Sequence, residues 1–103
     1  MQDKVLSLLS LATKAGKTTS GEFMVENEVK SGKASLVILA TDCSDNTKKK
    51  FRDMCAYRDI NIVEYSEKEE LGRCIGKEFR ACVAVSDEGF AAGILKQLDN
   101  FNV

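Results

Sequence analysis

The 103-residue chain has no histidine and no proline, and no two of its four cysteines stand in a Cys-x-x-Cys pair. Without histidine the commonest general acid/base is missing, and a zinc site would need four thiolates or carboxylates. No Gly-rich phosphate loop or nucleophile elbow occurs, and the carboxylates are spread along helix faces. The expectation is a protein without catalysis, cofactor or metal. The lack of proline excludes a Pro-rich linker and fits a compact domain of short Gly, Asn and Asp turns. No apolar run approaches the ~20 residues of a membrane span. The opening Met1-Gln2-Asp3-Lys4 lacks the basic lead and small-residue cleavage site of a signal peptide, which points to the cytoplasm. A strong charge of one sign is also missing. A net charge of −1 disfavours indiscriminate nucleic-acid binding, whose affinity scales with the phosphates neutralised, so any such contact must be local.

What is present is an ordinary globular composition, 44% hydrophobic and 30% charged, at a length near the commonest domain size. Residues 1–103 are therefore expected to form one domain. Cys43, Cys55, Cys74 and Cys82 read as buried reduced thiols, and only Cys43, beside a helix start, stands where an activated thiol would sit.

Val5, Leu8, Leu9 and Ala12 repeat with helical spacing after a capping Asp3, and Gly16 stops that first helix. Lys17 to Ser20 is a short β-prone stretch. Gly21 opens a second helix with Val25 and Val29 on one face, ended by Ser31-Gly32. Leu36 to Ala40 is a continuous apolar run, the mark of a strand covered on both faces. Ser44-Asp45 caps a third helix with Phe51, Met54 and Cys55 inward and Lys48, Lys49, Lys50 and Arg52 mainly outside. Ile60 to Tyr65 reads as a strand. Ser66 with Glu69 reads as a capping box for a short fourth helix that Gly72 or Gly76 ends. Ala81 to Val85 is the last strand. Ser86-Asp87-Glu88 then caps a helix that turns Phe90, Ile94, Leu95 and Leu98 inward. This alternation predicts an α/β fold, a three-layer α/β/α sandwich.

The stretches Gly16-Lys17-Thr18-Thr19-Ser20-Gly21, Ser31 to Asp42, Leu71-Gly72-Arg73-Cys74-Ile75-Gly76 and Val83-Ala84-Val85 occur in a specific order and spacing. From Val5 to about Leu98 the chain resembles the L7Ae/L30e family of ribosomal and RNA kink-turn binding proteins, in particular its small bacterial branch. The resemblance implies an L30e-like mixed four-stranded sheet. It also implies non-catalytic binding of structured RNA, kink-turn-like or ribosomal, in ribosome assembly or translation. In the family, a glycine at the start of the second helix precedes Asn-Glu and, three residues later, Lys, which read the kink-turn. Gly21 matches, whereas Phe23, Met24 and Asn27 stand where Asn, Glu and Lys are expected. Thr19 and Ser20 replace a frequent Lys-Lys. The family's second RNA-facing loop corresponds to residues 76–81, where Phe79 between Lys77 and Arg80 suits base stacking beside phosphate contacts.

The expected RNA surface combines Gly21, Glu22, Phe23, Met24 and Asn27 with Lys17, Lys30, Lys33, Lys77, Phe79 and Arg80. Gly21 would let a backbone approach, Phe23 and Phe79 would stack, Asn27 would read a base edge, and the cations would position phosphates. Simpler readings stand beside these. Gly21 serves a strand-to-helix turn, Phe23 and Met24 pack on the first helix, and Lys48-Lys49-Lys50 is a solvated helix face. Thr41 to Thr47 offers either an anion site or plain capping. The alternative to RNA binding is a protein-interaction module on the same fold, with Phe23 and Met24 meeting a ribosomal or translation protein.

Overall fold

A computed structural model describes residues 3–101. Met1 and Gln2, from which the leaderless start is read, lie outside them. The elements are α1 (Lys4–Lys14), β1 (Thr18–Ser20), α2 (Glu22–Lys30), β2 (Leu36–Leu39), α3 (Asp45–Arg58), β3 (Asn61–Glu64), α4 (Lys68–Cys74), β4 (Cys82–Val85) and α5 (Glu88–Phe101).

The four strands form a mixed sheet in the order β1-β4-β2-β3. β2 and β3 are parallel, and β4 runs antiparallel to both β2 and β1. Every residue of the two inner strands is buried, as a sheet covered on both faces requires. The edge strands β1 and β3 are only partly covered. Helices α1, α4 and α5 pack together on one side, and α2 packs with α3 on the other, which completes the three-layer α/β/α sandwich.

Apolar spacing decides which face each helix buries. α1 buries Val5, Leu9 and Ala12, and its first turn is capped by Asp3, whose carboxylate accepts the Leu6 N–H at 3.0 Å. α2 buries Val25 and Val29, α3 buries Phe51 and Cys55, and α5 buries Ile94 with Phe90, Leu95 and Leu98 packed against the core. Ser44 caps α3 through the Thr47 N–H at 3.1 Å, and Asp87 caps α5 through the Phe90 N–H at 2.9 Å.

The start of α4 departs from the expected Ser66–Glu69 capping box. Ser66 has φ 68°, outside the extended backbone that a capping residue needs, and its carbonyl is taken up by the Thr41 N–H at 2.7 Å and the Thr41 hydroxyl at 3.1 Å. Glu69 turns instead to Arg73, at 2.8 Å. The cap comes from another element: the Asp42 carboxylate at the end of β2 accepts the Lys68 N–H at 2.9 Å. Gly76, not Gly72, ends α4. Gly72 lies inside the helix and is buried.

Candidate nucleic-acid interface

One end of the sheet, where β1 finishes and β4 begins, gathers most of the expected contact residues. Gly21 joins β1 to α2 with φ 90°, a value that favours glycine, and its N–H donates to the Cys82 carbonyl at 3.2 Å. A side chain built at Gly21 would meet nothing within 4 Å, so the backbone there lies open to approach. The next residues expose apolar surface. Phe23 is 75% exposed and Met24 52%, because Val25 and Val29 set the buried face of α2 and these two point away from it.

The loop 76–81 lies alongside and is held at several points. The Lys77 N–H donates to the Gly72 carbonyl at 2.9 Å, and the Arg80 N–H to the Lys68 carbonyl at 3.1 Å. Arg80 also donates from Nε to Ser20 Oγ at 3.1 Å and from Nη1 to the Phe79 carbonyl at 2.8 Å, which ties the loop to the end of β1. Beneath it, α4 runs in direct backbone contact: a Cβ on Gly72 would lie 1.5 Å from the Glu78 carbonyl oxygen. On this platform Phe79 stands 61% exposed. It lines an open cleft of about 400 Å3 with Glu69, Arg73, Lys77 and Glu78. Among the described residues, neither Lys77 nor Arg80 makes an ion pair.

The structure separates the other expected contacts from this cluster. Phe23, Asn27 and Lys30 follow one exposed stripe of α2 at i, i+4 and i+7. That stripe carries Lys30 about 10 Å along the helix from Phe23. Lys30 is also paired there with Glu26 at 2.7 Å. Lys17 and Lys33 are exposed at the opposite end of the sheet, where both Thr18 and Leu36 pair with Val85. Glu22 turns toward α3 and accepts from the Thr47 hydroxyl at 2.9 Å. The cluster at this end of the sheet thus comprises Gly21, Phe23, Met24, Lys77, Phe79 and Arg80, with Asn27 at its margin. Arg73 and Glu69 line it without having been expected from sequence, although Arg73 sits inside the Leu71-Gly72-Arg73 motif.

The neighbouring polar groups are occupied internally. Glu26 bridges Lys30 and Lys50, the latter at 2.6 Å, and these bonds, Lys30 first, hold its carboxyl down at about 2. Lys49 pairs with Asp53 at 3.0 Å, while Lys48 pairs with Glu64 at 3.2 Å and donates to the Thr41 carbonyl at 2.9 Å. The triple-lysine face is therefore largely neutralised. Thr41, Asp42, Ser44 and Thr47 spend their side chains on the caps and links already described, which is the capping reading of that segment.

The thiols are free; Cys43, Cys55 and Cys82 are buried and Cys74 is half-buried. Burial pushes Cys55 and Cys74 up to about 11 and Cys82 to about 12, and raises Cys43 as well, the reverse of an activated nucleophile. Among the described residues, no cluster of three or more His, Cys, Asp or Glu side chains is placed to hold a metal ion, and no helix is long and apolar enough to cross a membrane.

Fold and surface together define a small L30e-like α/β/α domain that presents aromatic rings and cations at one end of its sheet. The chain belongs to the ribosomal protein L7Ae/L30e/S12e/Gadd45 family, whose model matches residues 3–95. It is 45% identical over 92 residues to the RNA-binding protein YlxQ of Bacillus subtilis, covering 89% of this chain and 92% of that one. To the YlxQ of Enterococcus faecium it is 36% identical over 90 residues, 87% and 86% of the two chains. A Bacillus halodurans protein of unknown function superposes with a TM-score of 0.92 at 38% identity, over 95% of this chain and 99% of the other. The 15.5kD RNA binding protein of Giardia lamblia shares the fold, with a TM-score of 0.78 at 18% identity, over 97% and 89%.

Proposed function

We propose that this protein is a non-catalytic, cytoplasmic, single-domain RNA-binding protein that acts on structured RNA, kink-turn-like or ribosomal, in ribosome assembly or translation. The observation that carries the reading is the clustering of exposed Phe23, Met24 and Phe79 with Lys77 and Arg80 around the open backbone of Gly21. Exposed rings beside unpaired cations suit unstacked bases and their phosphates. Relatives named for RNA binding support it. Phe23 and Met24 replace base-edge readers with apolar surface, so stacking and shape carry recognition.

The test is a titration with a labelled kink-turn RNA and an unkinked duplex, each at two salt concentrations, using the natural protein and Phe79→Ala combined with Lys77→Glu. Kink-dependent binding that weakens with salt is expected. The double variant should lose it while keeping its circular dichroism spectrum. The adjacent exposure of Phe23 and Met24 favours a second reading, a protein-interaction module meeting a ribosomal or translation protein, and a salt-insensitive complex with a protein partner in place of RNA would establish it.

A further inference from the structure

β1 is an edge strand, and its free side borders a second cleft of about 390 Å3, lined by Thr13, Thr18, Ser20, Met24, Ile75 and Lys77 among others. In the β1–β4 ladder the Lys17 carbonyl accepts from the Ser86 N–H, and the Gly21 N–H donates to Cys82. Bonds to β4 therefore fall on positions 17, 19 and 21, and the backbone N–H and C=O of Thr18 and Ser20 point outward. Thr18 Oγ1 donates to Thr13 Oγ1 at 3.0 Å, which donates to the Leu9 carbonyl at 2.9 Å, so those hydroxyl protons are spent. Ser20 differs: its Oγ accepts from Arg80, and among the described residues its own proton has no acceptor. Lys77 lines both this cleft and the one containing Phe79.

Building on the RNA-binding reading, we propose that the cleft holds the ribose of the nucleotide next to the base stacked on Phe79, with Ser20 reading its 2′-hydroxyl. A 2′-hydroxyl both donates and accepts, and the outward N–H, C=O and Oγ–H of Ser20 supply both complements. Lys77, between the two clefts, takes the intervening phosphate, while Met24 and Ile75 pack against the sugar. No group in the cleft is needed to read a base, so this subsite separates RNA from DNA without fixing sequence. An extended peptide adding to the same edge would find only the outward groups of Thr18 and Ser20 and would leave Lys77 unused.

The test uses a kink-turn RNA in which each unpaired nucleotide in turn carries 2′-deoxyribose, bound to the natural protein and to Ser20→Ala, with hydrogen exchange followed at the Ser20 amide. One deoxy substitution should weaken binding to the natural protein by roughly three- to tenfold, the worth of one hydrogen bond. Ser20→Ala, which loses the hydroxyl but keeps the backbone N–H and C=O, should be less sensitive to that substitution than the natural protein, and the all-ribose RNA should slow exchange at Ser20. If Ser20→Ala merely loosens Arg80, it will weaken both RNAs equally, which overturns the assignment. Equal affinity of the natural protein for all the RNAs, or an unprotected Ser20 amide, overturns it while RNA binding stands. Protection of the Thr18 and Ser20 amides by a protein partner alone would give the edge to a peptide. Failure to bind any of the RNAs at low salt removes the RNA-binding reading and this inference with it.

Discussion

Gly72 shows how a single missing methyl can support a surface it does not belong to. Its absent Cβ is what lets α4 lie against the Glu78 carbonyl, and so fixes the height at which Phe79 is presented. Gly72→Ala is expected to force the loop away, with an overpacking cost of about 1–3 kcal/mol. Urea denaturation should report that loss, and RNA affinity should fall further than Phe79 exposure alone accounts for. Unchanged stability and affinity would show that the loop yields freely. The glycine was legible as part of a Leu-Gly-Arg motif, but its role was not: the contact is with backbone six residues on, and only the folded turn brings it near. Phe23 and Met24 fell outside the Val25–Val29 face, which left exposure and packing on α1 both open until the fold decided for exposure, and Phe79 was placed by the family resemblance alone.

Among the elements, helices with regular apolar spacing were readable from Val5, Leu9 and Ala12 or from Phe51 and Cys55. Caps one turn away, at Asp3, Ser44 and Asp87, were readable too. The start of α4 was not, because its cap, Asp42, lies 26 residues earlier at the end of β2. Asp42→Ala should destabilise the protein by about 1 kcal/mol, as loss of a helix cap does, and thermal denaturation would detect the lowered midpoint. Ser66→Ala, which leaves the Ser66 carbonyl in place, should matter less. The distribution of cations was hidden for a related reason. Lys17 is close in sequence to Gly21 and Lys33 follows soon after α2, but the start of β1 and the approach to β2 place both at the far end of the sheet. Lys30 shares Glu26 with Lys50 of a different helix, a pairing that periodicity along α2 cannot reveal.

For the molecule as a whole, a net charge of −1 leaves little long-range attraction for RNA, so pH and salt act through particular groups. Glu26 is held near 2 against an ordinary 4.5, so the folded state prefers its charged form. The stabilisation is complete above about pH 4.5 and fades as pH falls toward 2. Tyr65 behaves oppositely. Burial first, and then its hydrogen bond to Asp3 at 2.6 Å, push it up to about 12 from 10. Its contribution is complete below pH 10 and fades as pH rises toward 12. Denaturation followed from pH 2 to 12 should show both limbs, with Glu26→Gln flattening the acid one and Tyr65→Phe the alkaline one. Limbs unaffected by these changes would assign the titrations to other groups.

The sheet order has a consequence for synthesis. Among the described residues β4 is encoded last of the strands yet sits between β1 and β2, and β1 has no other neighbour. A nascent chain emerging from the ribosome can build α1, α2 and the parallel β2–β3 pair, but β1 stays unzipped until residues 82–85 arrive. The end of β1 and the loop before β4 can meet only at that moment. The proposed RNA surface, which joins the end of β1 to the loop before β4, is therefore expected to be missing from a growing chain halted before Cys82.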